Sequence, residues 1–464
     1  MERDLTRGGV VRTVLAFALP LALGMAAHAA FNLMDLWIVG SLGESAVAAV
    51  HLGSTINFFP MILGNGISVG TVVLVAQWLG SGRRERAARF ANLACLVMVV
   101  VAVVTGVACW YWAPGCVAVL GGTGASVRVG IEYLEIVSLG TVTMFLLMHV
   151  TGLLRAMGNA TWTLVLLIGS NALNIGLDFA LIFGVDALGL PPQGAAGAAW
   201  ATVIARALGC VAGLWILSHR ASPLRPGFRL PVRACHALGR MVALGLPQSV
   251  QMLARASLVV TLTSVAGTLG RTSAQAAFGV VTRLDTLVLF AGVGWASGAT
   301  AMVGQCVGHR LAARARRVAF WTMLFAGAFA ALLAGAFALN SETIGRALVP
   351  DGSVEFLRHG ATYLAIATLA HPPATGSLVL AGALNGAGSA LLPMWLDVVA
   401  FVVVLQPAIW LWVQRGAAGG LSVCWGMSAA ANWLLLVAYL VVLRRRGLRV
   451  DRSTAKLAGA QDRG

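Results

Sequence analysis

The fold class the sequence predicts is all-α integral membrane: twelve transmembrane helices forming two pseudo-symmetric six-helix lobes around a central cavity. Three observations predict it. Of 464 residues, 59% are hydrophobic and only 10% charged, against roughly 25% charged in a soluble globular domain. Apolar stretches of about 20 residues, the length that crosses a bilayer core as a helix, recur along the whole chain. The second half also repeats landmarks of the first in the same order.

The spans fall near residues 14–38, 53–79, 91–113, 131–155, 161–183, 194–218, 239–264, 276–304, 318–339, 355–383, 390–412 and 420–443. The first follows Arg3, Arg7 and Arg12 and contains Ala27-His28-Ala29, which imitates a signal peptide with its cleavage site. Cleavage is not expected, because the apolar run continues to Val39 and has a counterpart later in the chain. The second span ends at Gln77-x-x-Gly80 before a basic segment, the fourth at Gly152-Leu-Leu-Arg-Ala-Met-Gly-Asn-Ala160, and the sixth opens with Gly194-Ala-Ala-Gly-Ala-Ala-Trp-Ala-Thr202. The seventh contains Pro247, and the eighth ends at Gln305-x-x-Gly308. The tenth contains Pro372 and Pro373, the eleventh Pro393 and Pro407, and the twelfth stops at Arg444–Arg446.

These landmarks define the repeat. Pro20 pairs with Pro247 at an offset of 227. The Gln-x-x-Gly motifs pair at 228, and Gly152 with Gly382 at 230. Six spans per half bring the second half into the membrane in the same orientation as the first, a parallel repeat of the kind secondary transporters use. The lobes are read as 1–218 and 234–450, joined by an Arg- and Pro-rich linker, 219–233, and followed by a tail, 451–464.

A net charge of +16 raises the question of nucleic acid. With basic residues at the span ends counted with the adjoining loops, the tails and even-numbered loops hold 24 of the 32, the odd-numbered loops five, and three (Arg206, Arg255 and Arg283) fall within spans. That asymmetry is the positive-inside signature, so both termini are expected in the cytoplasm and no nucleic-acid partner is expected. The seven cysteines form no C-x-x-C pair, which argues against a disulfide framework or a metal knuckle. No dense catalytic cluster such as H-E-x-x-H and no G-x-S-x-G elbow is read in the sequence, so an enzyme is not expected.

Charged side chains at membrane depth are costly and face the protein interior or a watery cavity, where they carry function. The candidates are Asp35, Asp178, Arg206, Arg255, Arg283, Asp285 and Asp397. Asn171, Asn174 and Asp178 share one face of the fifth span, and His28, Asn32 and Asp35 share one face of the first. Both helices run outward, so Asp35 and Asp178 lie in the outer half of the membrane, as does Thr202 near the outer start of the sixth. If they converge, two carboxylates, amide oxygens and a hydroxyl form a pocket suited to a proton or Na⁺. His28 reads instead as a packing residue. Arg283 and Asp285, two apart, cannot form a local ion pair.

These motifs resemble the multidrug and toxic compound extrusion (MATE) family: Pro20 spaced before Asp35, Asn32-Leu-Met-Asp-Leu-Trp-Ile-Val-Gly-Ser-Leu-Gly43, Asn171-x-x-Asn-x-x-x-Asp-x-x-Leu-Ile-Phe-Gly184, Gly194–Thr202 and the Gln-x-x-Gly repeats. The resemblance covers nearly the whole chain. It implies a secondary antiporter of the bacterial inner membrane, not an enzyme, that exports organic cations or amphipathic drugs for H⁺ or Na⁺, with no other cofactor. Asp35, Asn174, Asp178 and Thr202 match the family's cation site, and would hold any Na⁺. His28, Asn32 and Asn171 are candidates for a relay or cavity lining. Pro20 matches the proline at which the first helix bends. Arg255 stands where the NorM-like branch has a carboxylate, which places the chain closer to the DinF-like branch. Its expected partners are a small substrate and the bilayer, and a monomer is expected. The alternative is a lipid-linked oligosaccharide flippase of related two-lobe plan, which the three arginines within spans would suit.

Overall fold

The computed structural model describes residues 4–119, 125–186, 189–219, 222–224, 234–269, 272–348, 353–417 and 420–448. Most of the expected linker and all of the tail 451–464 lie outside the described residues. The described chain is helical throughout, with one isolated bridge, Val185 to Leu190, as its only extended pairing. The first half holds α1 (Val10–Gly40), α2 (Glu44–Gly80), α3 (Arg84–Tyr111), α4 (Ala113–Val119), α5 (Ala125–Leu139), α6 (Thr141–Ala156), α7 (Ala160–Phe183) and α8 (Gly194–Ser218). The second holds α9 (Ala234–Leu269), α10 (Thr272–Gly308), α11 (Ala312–Leu339), α12 (Ser341–Leu348), α13 (Val354–Gly386), α14 (Leu391–Asp397), a π-helical stretch (Val398–Leu405), α15 (Gln406–Gln414) and α16 (Leu421–Arg446).

Eleven described segments are long and apolar enough to span a membrane, and a bent pair makes a twelfth. That pair is the fourth predicted span, which divides at Gly140 into α5 and α6 with a 46° bend. A Cβ at Gly140 would run into Val203 of α8, so the bend seats α8 in the elbow. The eleventh span is continuous but widens into the π stretch between Asp397 and Gln406.

The repeat reappears in three dimensions. Gly152 of α6 faces Ser68 and Val72 of α2, and Gly382 of α13 faces Ala296 and Thr300 of α10. Each contact in the second half is the first displaced by 228 or 230 positions, the offsets read in the sequence. Short helices α4 and α12 follow the third helix of each half in the same way.

By backbone packing the chain forms two compact units, one of residues 1–4 and 27–246, the other of 5–26 and 247–464. Their borders fall inside α1 and α9. In the first unit the start of α9 lies on α2, where Cβ atoms on Gly70 and Gly245 would strike the backbones of Met241 and Gly66. In the second, the start of α1 lies on α10, with Gly294 and Gly298 against Ala22 and Ala18. Gly66 and Gly70 become Gly294 and Gly298 at an offset of 228. Each half thus lends the beginning of its first helix to the other, at glycine pairs that permit backbone contact.

Candidate functional site: paired carboxylates in the first unit

The register of α7 on α8 comes from their turn and their small residues. Gly184 ends α7 at φ 79°, a left-handed conformation that favours glycine, and its Cα faces the backbone of Leu190 to Pro192. Gln193 N–H then donates to Leu181 C=O (3.0 Å). Gly197 meets Leu181, Gly209 meets Ser170, and Gly213 meets Leu166. In that antiparallel register Thr202 lies level with Leu177, next to Asp178, and Arg206 follows one turn further along.

Asp178 is fully buried and Asp35 half-buried. Their carboxyls lie within hydrogen-bonding reach of each other. Asn174 Nδ2 donates to Asp178 Oδ1 (3.4 Å), while Asp178 Oδ2 and Asp35 Oδ1 are buried without a donor. Two ionised carboxylates cannot bond each other, since neither carries a proton to donate. The pair therefore fits a cation, whether a proton shared between the acids or Na⁺ held on their oxygens with those of Asn174 and Thr202. Among the described residues no three His, Cys, Asp or Glu side chains gather as a metal cluster. Thr202 Oγ1 donates to Ala198 C=O (3.0 Å), leaving its lone pairs free to accept.

Two further residues belong to this group. Arg206 interacts electrostatically with Asp35 and His28, and buried Tyr133 of α5 with Asp35, Asp178 and Arg206. Arg206 was legible as Thr202 plus four, one helical turn on the same face. Tyr133 carried a weaker signal, since its repeat partner at offset 230 is Tyr363. An apolar cluster of Ile38, Val39, Tyr133, Ile182, Ala198 and Ala199 includes Ile38 and Ile182, each about one helical turn beyond Asp35 and Asp178.

The other expected residues sit as follows. His28 Nδ1 donates to Asn171 Oδ1 (3.0 Å), joining α1 to α7 about two turns before the acids, and Asn171 Nδ2 donates within α7 to Leu167 C=O (2.7 Å). Asn32 is exposed. Pro20 lies inside α1, in the part that packs with the second unit.

In the second unit the acids have partners. Asp397, fully buried, accepts from Arg255 Nε (2.8 Å), Arg255 Nη2 (3.1 Å) and Tyr439 O–H (2.8 Å). The guanidinium also lies 5.4 Å from the centre of the Phe401 ring. Asp285 accepts from Tyr363 O–H and from His371 Nε2 (2.9 Å). Exposed Arg283 forms no ion pair with it among the described residues. The string Gly66-Ile67-Ser68-Val69-Gly70 matches the G-x-S-x-G pattern of hydrolase elbows, but it lies inside α2 with no strand before it. Ser68 Oγ donates to Met148 C=O (3.3 Å), and the string lacks the strand-to-helix turn that defines such an elbow, contrary to the pattern alone.

Comparison with known proteins places this architecture. The MatE family model matches residues 20–180 and 247–410, one stretch per half, each beginning at a proline of the repeat. The chain belongs to the MatE family. Members are transporters, so this chain is a membrane transporter and not an enzyme. A probable multidrug resistance protein NorM of Rhizobium meliloti is 28% identical over 446 residues, 94% of each chain. The multidrug resistance protein PmpM of Pseudomonas aeruginosa is 25% identical over 360 residues, 76% of this chain and 74% of that one. The fold agrees with a solved outward-facing multidrug resistance MATE family transporter of the MOP superfamily. Its TM-score is 0.88 and its identity 21%, with 95% of this chain and 97% of that chain covered.

Proposed function

We propose that this MatE member is an antiporter that exports organic cations or amphipathic drugs in exchange for H⁺ or Na⁺, with the coupling ion taken up at Asp35 and Asp178. The observation that carries the reading is the two neighbouring carboxyls, one fully and one half-buried, each with a buried oxygen that has no donor. Asn174 and Thr202 supply the neutral oxygens. Arg206 supplies one positive charge, so the ionised group has a net charge of −1 and is balanced by one monovalent ion per cycle. The exported molecule and the external ion compete for this charge, and uptake of the ion alters α1 about Pro20 and releases the drug. One charge moved yields about 2.3 kcal/mol per 100 mV, enough for more than tenfold accumulation.

The names of the relatives support drug export. Arg255, where a NorM-like carboxylate would stand, supports the DinF-like branch. We propose lobes of 1–218 and 234–450, both termini in the cytoplasm, a bacterial inner membrane and a monomer. The flippase reading calls for a strongly cationic cavity, to which the three arginines within spans could contribute. Arg255 is bound by Asp397, which favours the antiporter.

The test is drug efflux from proteoliposomes under separately imposed ΔpH and Na⁺ gradients. One gradient is expected to drive export by the unaltered protein, and Asp35→Asn and Asp178→Asn each to abolish it. Export unchanged in both variants would remove the acids from the mechanism.

A further inference from the structure

Away from the acids, a cleft of about 680 Å³ opens between the start of α1 and α11 in the second unit. Gly9, Val10, Val11, Leu15, Ala16 and Trp321 make it apolar, and Arg12 and Arg317 edge it. Ligand clefts commonly measure about 300–1,000 Å³. Its α1 wall is fixed in place: Arg314 donates to the carbonyls of Leu5 (3.2 Å), Arg7 (2.8 Å) and Gly8 (2.7 Å), and Leu5 N–H donates to Gln305 Oε1 (3.2 Å). Arg12 and Arg317 themselves are exposed, with no hydrogen bond or ion pair among the described residues. Neither contributes to the carboxylate site.

We propose that this cleft binds one anionic phospholipid, its phosphate held by Arg12 and Arg317 and an acyl chain lying over Leu15, Ala16 and the Trp321 ring. The chemistry of the lining selects that occupant. Two guanidiniums with no acid among the lining residues suit a phosphate, which arginine grips with paired N–H donors. The apolar floor suits hydrocarbon, and basic pockets between membrane helices on the cytoplasmic side are where anionic headgroups bind. A zwitterionic headgroup would bring its own cation against the arginines, and a free phosphate would leave the floor bare. The leaflet follows from the orientation proposed above, whereas the lipid class does not depend on transport.

The test uses purified full-length protein in detergent, stripped of lipid and titrated with phosphatidylglycerol or phosphatidylcholine while bound lipid is counted by native mass spectrometry. Phosphatidylglycerol is expected to bind at one site and phosphatidylcholine much more weakly. Arg12→Gln and Arg317→Gln should each weaken the site about fivefold, the attraction one basic side chain supplies to an anionic lipid. Arg316→Gln, which removes the same charge beside the cleft, should leave it unchanged. Trp321→Ala should weaken the lipid without affecting competition by glycerol phosphate. Equal binding of the two lipids, equal losses in Arg316→Gln and Arg317→Gln, or full displacement by glycerol phosphate at the lipid's own concentration would each overturn the proposal. All variants are checked for an unaltered melting temperature, and because each arginine is tested singly, one misfolded variant leaves the other to decide.

Discussion

The two compact units bury the same residue type to opposite ends. In the first, Asp35 and Asp178 each keep a buried oxygen without a donor. In the second, Asp397 meets a guanidinium and a phenol, and Asp285 a phenol and an imidazole. The helices carrying Asp178 and Asp397 occupy matching places in the repeat, yet Asp178 lies 18 residues into its helix and Asp397 six. Twelve residues of helix rise about 18 Å, so the two are not equivalent positions. The two pairs differ in their supply of donors, and the proposed ion exchange at Asp35 and Asp178 rests on that difference. Arg255 supplies Asp397 with a cation tethered to the chain.

Removing that tether gives the largest expected effect. Arg255→Met leaves a buried unpaired carboxylate and should lower stability in detergent by about 3–5 kcal/mol. The double variant Arg255→Met with Asp397→Met should recover most of it, read as the denaturation midpoint. A single and double variant of equal stability would show the pair to be no unit. A smaller contrast tests the comparison directly. Asp397→Asn should cost about 1–3 kcal/mol, because an amide cannot accept from both of its partners as a carboxylate does, whereas Asp178→Asn should leave the melting temperature unchanged or higher. A loss at Asp178 as large as at Asp397 would break the distinction. Smallest of all, Asn32→Ala is expected to change the efflux rate by less than about twofold, since an exposed substitution away from special features has little effect. A tenfold loss would bring Asn32 into the site.

Much of this was legible in the sequence. Span positions followed from apolar length, because a bilayer imposes its thickness on any helix that crosses it. The stripes on the first and fifth spans followed from helical spacing, and the structure brings the Asp at the end of each together. What spacing cannot give is partners on distant helices. Arg255 and Asp397 are 142 residues apart, and nothing local marks them as a pair. The Asp285–His371 contact was hidden in the same way, while the absence of a local Arg283–Asp285 pair was readable from their separation of two. His28 was read as a packing residue, and its bond to Asn171 ties it into the stripe on α7. The bend at Gly140 escaped because the close approach it makes is to Val203, on another helix.

The exchange of helix beginnings has a consequence for synthesis. Ala18 and Ala22 are made early, but Gly294 and Gly298, against which they rest, come about 270 residues later. At roughly 5–20 residues per second that gap lasts about 15 to 55 seconds. During it the leading segment lacks the surface of α10 on which it rests in the folded chain, so the first unit and the start of α1 cannot reach their final packing together.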